Sequence, residues 1–207
     1  LSPNPSGAID VPVYPGATLT GFATCKVSSP THYPQIIAIE TDANGLVVTA
    51  PGSINLGANS ESEFQVGVRA DQRMIASGRT LEVTARVVEA NGVPPPNVAE
   101  SKITMIINIL QFSRLQVDAV TPYVEIDAGD DVMLKFKIYN QGNSADTFSI
   151  SYVNNNNIQD LELYSNTSKI TISAGETPGE VEVNLIAPEK LSDLITGPKG
   201  EKYIDAT

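Results

Sequence analysis

With 207 residues, of which 41% are hydrophobic, the chain is long enough to bury either one large core or two cores of about 100 residues each. Its net charge of −11, with no cluster of Lys and Arg, excludes a nucleic-acid surface and electrostatic attachment to an anionic membrane. Because no run of about 18 apolar residues occurs, we expect no direct membrane insertion by this segment.

The chain contains one cysteine, Cys25, so no internal disulfide can form. Small domains secreted by animals usually carry such bridges, whereas domains of about 100 residues can fold without them. This usage favours a protein exported by a prokaryote. The sequence begins at Leu1 and contains no signal-peptide core, so we expect any export signal or anchor to lie outside it.

Short runs of alternating apolar and polar residues extend along the whole chain. Phe64–Val68 and Leu81–Val87 are clear examples in the first half, and Val132–Ile138 and Val181–Leu185 in the second. Such alternation buries one face of a strand and exposes the other. Turn residues such as Asn91-Gly92 separate the runs. Short strands at this spacing predict an all-β sandwich fold.

The two halves of the chain repeat each other, which predicts a duplicated fold. The distance between matched residues grows slightly along the chain, as small insertions in turns would produce, while the alternation keeps its phase from strand to strand. The matched positions are Leu19, Ala23 and Cys25 with Val132, Phe136 and Ile138; Leu46 and Val48 with Leu161 and Leu163; Ile37 with Ile150; Ile54 and Leu56 with Ile170 and Ile172; and Phe64, Val66 and Val68 with Val181, Val183 and Leu185.

We therefore predict two tandem immunoglobulin-like β-sandwich domains. Residues 1–8 form an N-terminal extension, residues 9–112 the first domain, and residues 113–207 the second. The first domain should end with a strand at Ile103–Leu110, but the chain stops at Thr207, inside the strand that would precede its counterpart. The second domain is thus predicted to be incomplete, without its last strand. Either the sequence is a piece of a longer protein, or another chain supplies the strand.

The segment Val132–Phe148 carries a recognisable pattern: an alternating strand, then Asn140-Gln141-Gly142-Asn143, then Asp146-Thr147-Phe148. It resembles the immunoglobulin-like adhesion modules of the CARDB and NEW3 type, which occur in cell-surface proteins of bacteria and archaea. The resemblance implies a spacer, stalk or adhesion role, in some proteins beside a hydrolase, and no catalytic residues. The first domain departs from the pattern, with Val27-Ser28-Ser29-Pro30 where the Asn-x-Gly-Asn turn should be.

Few side chains of this sequence could support catalysis or metal binding. His32 is the sole histidine, which excludes His-based triads and multi-His metal sites. Cys25 falls in phase with apolar core positions, so we predict a buried hydrophobe rather than a nucleophile. We predict no enzyme and no cofactor. An acidic cluster at Glu125, Asp127, Asp130 and Asp131 is a candidate calcium site, although the same residues suit an ordinary turn at a strand entry.

Surface chemistry leaves two further candidates. Asn166-Thr167-Ser168 is a glycosylation sequon, predicted to lie in an exposed turn. Carbohydrate binding is weakened by the absence of Trp, because sugars stack on aromatic faces. The tyrosines that could replace Trp, or could simply be half-buried strand residues, are Tyr123, Tyr139, Tyr152 and Tyr164.

The sequence favours a non-catalytic structural or adhesive module, located outside the cell or on its surface. Its expected partners are other protein domains of the same or neighbouring surface chains. An accessory module that positions a substrate for a secreted hydrolase is the main alternative, and an intracellular scaffold of the major-sperm-protein type is a third. The sandwich fold alone does not separate these functions.

Overall fold

The computed structural model describes residues 2–4, 8–152, 161–175, 177–190, 195–196, 198–199 and 202–203. These residues form strands, turns and loops and include no helix, which confirms the all-β class for the described part of the chain. The chain divides into two compact units, unit 1 at Leu1–Phe112 and unit 2 at Ser113–Thr207.

Unit 1 has two sheets. One has the strand order β1-β3-β7-β5 and the other β2-β9-β8-β4-β6. Neighbouring strands are antiparallel except β2 and β9, which are parallel. The strands are β1 (Ser2–Asn4), β2 (Ile9–Val11), β3 (Thr20–Ser29), β4 (Gln35–Asp42), β5 (Val47–Thr49), β6 (Ser53–Leu56), β7 (Ser60–Arg69), β8 (Ser77–Ala90) and β9 (Glu100–Ile109).

The core of unit 1 lies between these sheets. Cys25 and Val66 enter it from the first sheet, and Leu81, Val83 and Ile107 from the second, each 0% exposed. Burying such an aliphatic side chain contributes about 1.5–3 kcal/mol relative to leaving it in water. The apolar residues of the alternating runs thus form the inward faces of a β-sandwich.

Two local features of unit 1 were not visible in the alternation. Ser2–Asn4, assigned to an N-terminal extension, pairs with Thr24–Lys26 of β3. This run carries no apolar alternation, which is why the sequence pattern did not predict it as a strand. Gly21 lies so close to β2 that an added Cβ would sit 2.6 Å from the Asp10 carbonyl oxygen. Glycine is required there because the two backbones almost touch.

Unit 2 repeats part of this arrangement. One sheet has the order β10-β11-β15-β13, and β12 pairs with β14 in a second. β16 and β17 pair only with each other within the described residues. The strands are β10 (Leu115–Ala119), β11 (Asp131–Asn140), β12 (Asp146–Ser149), β13 (Glu162–Tyr164), β14 (Lys169–Ile172), β15 (Gly179–Ile186), β16 (Ile195–Thr196) and β17 (Lys202–Tyr203). The smaller core comprises Ile138, Ile172, Val181 and Val183.

The strand registers correct the first part of the repeat. Cys25 lies opposite Phe64, and Phe136 lies opposite Val181. Since Phe64 and Val181 are matched by the repeat, Cys25 corresponds to Phe136 and not to Ile138, with which the sequence pattern had aligned it. The sequence alignment was therefore wrong by two residues here. The same holds at Ile37, which lies opposite Ile54 as Phe148 lies opposite Ile170, so Ile37 corresponds to Phe148 and not to Ile150. A shift of two keeps each side chain on the same face, so the alternation cannot detect it. We call the corrected matching the register-based alignment.

Two predictions depend on residues outside the described ranges. The ending of the second domain inside its penultimate strand involves residues 204–207. The run of four asparagines at Asn154–Asn157, which by its composition predicts an insertion at a loop tip, lies within residues 153–160. Both stay predictions.

Candidate functional site

The Asn-x-Gly-Asn turn is built around one buried amide. Asn140 ends β11 and is only 2% exposed. Its Nδ2 donates to the Ser144 carbonyl at 2.7 Å and to the Ile172 carbonyl at 2.8 Å, and its Oδ1 accepts from the Gly142 N–H at 2.9 Å. One side chain thus closes the turn and joins β11 to β14, which belongs to the other sheet. Asn143 is fully buried in the same turn.

In unit 1, a buried hydroxyl group holds the corresponding turn. Ser29 ends β3, is the counterpart of Asn140 in the register-based alignment, and is 6% exposed. Its hydroxyl donates to Gln35 Oε1 at 2.5 Å and lies 3.0 Å from the Thr31 hydroxyl. Ser29 and Asn140 thus each stabilise a turn at the end of a strand. Their hydrogen bonds also offset the cost of burying a polar side chain.

A groove of about 320 Å³ opens into the core of unit 2. We call it the unit-2 groove. Its walls are side chains of β10, β11, β12, β13 and β15 and of the segment that follows β12, and its polar lining includes Ser149 and Ser151. The apolar side chains most relevant to its chemistry are Leu134, Phe136, Phe148, Ile150 and Leu163.

The groove marks a difference between the two units. Cys25 and Ile37 of unit 1 are 0% and 4% exposed. Their counterparts in the register-based alignment, Phe136 and Phe148, are only partly buried, although both pack against the unit-2 core. In unit 1, β8 and β9 supply Leu81 and other apolar side chains to the corresponding space. The sequence pattern did not reveal this groove, because alternation marks which face is apolar and not whether anything covers it.

The four candidate calcium ligands are exposed and lie at the entry to β11. The Asp130 N–H donates to the Asp127 carbonyl at 3.2 Å beside Gly129, whose φ is +81°, and Tyr123 Oη donates to Glu125 at 3.3 Å. Among the described residues, no three or more His, Cys, Asp or Glu side chains gather closely enough to hold a metal ion. This segment, which includes Asp131, therefore has the geometry of a turn, and the structure gives calcium binding no support.

Asn166 is exposed in the turn between β13 and β14. Ser165 shapes that turn: its hydroxyl donates to the Glu182 carbonyl at 2.6 Å and accepts from the Thr167 N–H at 3.2 Å. The sequon side chain is thus accessible from solvent.

Cys25 and His32 occupy different environments. Cys25 is in the unit-1 core, where desolvation by burial raises the pKa of its thiol, so the reactive thiolate is disfavoured. His32 is exposed between β3 and β4, with Nδ1 3.0 Å from Asn59 Nδ2. Of the tyrosines considered for sugar stacking, Tyr152 lines the unit-2 groove, and Tyr123 and Tyr164 are exposed elsewhere in unit 2.

In the part of the chain that the structure describes, no helix is long and apolar enough to cross a membrane.

No protein-family model and no curated protein matches the chain. Several solved structures are similar to it at low scores. A protein of unknown function from Porphyromonas gingivalis W83 is 12% identical, with a TM-score of 0.36, over 87% of this chain and 80% of its own. The CupB2 chaperone of Pseudomonas aeruginosa is 10% identical, with a TM-score of 0.36, over 96% and 95%.

The SafA pilin in complex with the SafB chaperone, from Salmonella enterica, gives 18% identity and a TM-score of 0.35, over 88% of this chain and 82% of that one. TM-scores at this level carry no argument about the function of this chain.

Proposed function

We propose that this chain is a non-catalytic structural or adhesive module, composed of two tandem immunoglobulin-like β-sandwich domains, from a longer exported cell-surface protein. The observation that carries the proposal is that the hydrogen bonds of the buried Asn140 side chain hold the fold together. The turn on which the resemblance to surface adhesion modules rests directs its buried amide entirely to the fold, through three hydrogen bonds.

Two further observations support a module without chemistry of its own. The thiol of Cys25 is enclosed in the unit-1 core. The unit-2 groove is lined mainly by apolar side chains and hydroxyls, a surface suited to binding rather than to proton transfer. Its partners in this proposal are other protein domains of the same or neighbouring surface chains.

The deciding experiment is surface labelling of intact cells of the native host with a membrane-impermeant amine reagent, followed by peptide mapping across Asn166 and beyond Thr207. We expect labelled peptides of this chain from intact cells, within a longer polypeptide that carries a glycan at Asn166. An Asn166→Gln variant should lack that mass increment and keep the labelling.

Labelling that requires cell lysis would contradict the surface location, as a cytoplasmic control protein would show in the same samples. Peptides of a hydrolase in the same polypeptide would redirect the assignment to an accessory module that positions a substrate.

A further inference from the structure

The outward face of the first sheet of unit 1 carries an exposed aromatic side chain. Phe22 of β3 lies opposite Gly67 of β7, and Gly67 lies opposite Thr49 of β5, so these three residues form one row across the sheet. Phe22 is 59% exposed, although β3 is flanked by strands on both sides. A large apolar side chain in this position is not explained by the core, which lies on the opposite face of the sheet.

Gly67 fixes the place of the Phe22 ring. A Cβ added at Gly67 would lie 3.0 Å from Cε1 and 3.2 Å from Cδ1 of Phe22, so the ring occupies the space of a side chain at position 67. Gly67 has no positive φ, and a glycine inside a strand then indicates a close approach rather than a need for backbone freedom. A ring held in place before a ligand arrives loses little conformational entropy on binding.

Polar side chains border the ring on the same face. Gln65 and Arg69 lie two residues before and two residues after Gly67 along β7, which places them about 7 Å to either side of it. Both are exposed, and within the described residues neither side chain forms a hydrogen bond or an ion pair. Their amide and guanidinium groups, with the exposed Thr49 hydroxyl, are therefore available to a ligand that rests on the ring.

The extent and chemistry of this face favour a sugar over a protein. A stable protein interface covers about 800 Å² of each partner, whereas Phe22 and Val47 are the only exposed large apolar side chains among the described residues of this face. A pyranose is about as large as one phenyl ring. Its C–H groups carry partial positive charge and are attracted to the negative face of an aromatic ring, while its hydroxyls point outward to polar neighbours. The net charge of −11 disfavours a polyanion.

We propose that the outward face of the first sheet of unit 1 binds a neutral polysaccharide of β-linked pyranose units, with one sugar ring stacked on Phe22 and its hydroxyls hydrogen-bonded by Gln65 and Arg69. Sugars of this kind carry equatorial substituents, so their C–H faces are open and suit a flat sheet. This inference goes beyond the proposed function, because the purified chain binds the sugar whether or not the native protein is located at the cell surface.

The first experiment is an NMR titration of the full 207-residue protein with the β-1,4-linked hexasaccharides of glucose and of N-acetylglucosamine. We expect at least one of them to bind with a Kd of about 1 mM. The ring current should shift C–H protons of the bound sugar upfield, and the Phe22 ring and the Gly67 amide should shift with it. The proposal is overturned if neither sugar causes a change at concentrations tenfold above that Kd, and Phe22 would then only shield the glycine backbone. Shift changes confined to other residues would place the sugar elsewhere and refute the site.

Two substitutions of Phe22 separate aromatic stacking from simple apolar contact. Phe22→Leu keeps a large apolar side chain but has no aromatic face, and we expect it to weaken sugar binding about tenfold. Phe22→Trp keeps the aromatic face and should bind at least as tightly as the unaltered protein. Melting curves of both variants establish that they are folded at the titration temperature. Equal affinities of Phe22→Leu and the unaltered protein would exclude stacking.

A substitution at Gly67 tests the placement of the ring while Phe22 stays intact. Gly67→Ala puts a methyl group where the ring now lies, so the ring must move and sugar binding should weaken. Ile106→Ala is the matched control, because it removes an exposed apolar side chain, 57% exposed, from the other sheet of unit 1 and should leave the affinity unchanged. Unchanged binding by Gly67→Ala, or an equal loss in Ile106→Ala, would contradict the site at Phe22.

Discussion

Removal of the Asn140 side chain tests how unit 2 is held together. Asn140→Ala deletes two donated hydrogen bonds and one accepted bond, to Ser144, Ile172 and Gly142. At about 1 kcal/mol of net stabilisation for each bond, the loss is about 3 kcal/mol. The cost is larger if the Ile172 carbonyl, in a buried hydrogen bond at present, finds no water in the variant. This is a large share of the roughly 5–15 kcal/mol that stabilises a typical domain.

The assay is urea unfolding of the full chain, combined with hydrogen-exchange mass spectrometry of peptides from β11 and β14. Exchange should accelerate in those peptides and stay unchanged in unit 1. Asn166→Ala is the matched control, because its amide is exposed and its loss should change stability by less than about 0.5 kcal/mol. If Asn140→Ala behaves like this control, the turn does not depend on the buried amide and the reasoning fails.

Asn140→Asp extends the test to pH. The carboxylate keeps an acceptor for Gly142 but faces the Ser144 and Ile172 carbonyls, so the charged form is disfavoured in the folded state. Its folded pKa should therefore lie above the ordinary value of about 3.9. A carboxyl group with a raised folded pKa makes the variant more stable at low pH. The variant should therefore lose stability as the pH rises from about 3.9 to the folded pKa of Asp at this position.

Three further predictions concern other parts of the chain. Gly21→Ala should destabilise unit 1 by about 1–3 kcal/mol, because its Cβ meets the Asp10 backbone, while Gly78→Ala, which meets nothing within 4 Å, should be neutral or stabilising by up to about 1 kcal/mol in thermal unfolding. Because burial raises the pKa of Cys25, the unfolded chain loses the thiol proton first, so the free energy of unfolding should fall above about pH 8.5, and Cys25→Ala should abolish that decline. Melting curves in EDTA and in millimolar calcium should coincide, and a higher melting temperature with calcium would favour the candidate calcium site at Asp127 and Asp130 over an ordinary turn.

The sequence predicted the inward and outward faces of the strands well. Val66, Val83 and Val181 were placed in cores from alternation alone, and all three are buried. It could not place Asn140 in the interior, because polar residues beside a glycine usually indicate an exposed turn. Nor did proximity along the chain bring the acidic residues before β11 into a metal site, since neighbouring carboxylates converge only when the backbone directs them to one point.

By itself, the sequence determined the all-β class, the repeat and the apolar face of each strand, because these depend on a period of two residues that any strand must obey. Only the tertiary structure decided the register, since a slip of two residues changes Cys25 from the counterpart of Ile138 to the counterpart of Phe136 without altering the pattern. It alone also showed that β8 covers this apolar face in unit 1, and that the described residues of unit 2 line a groove at the corresponding face. Whether an apolar face is covered depends on which strands pack together in the folded chain. The residue pattern of a single strand does not specify its neighbours.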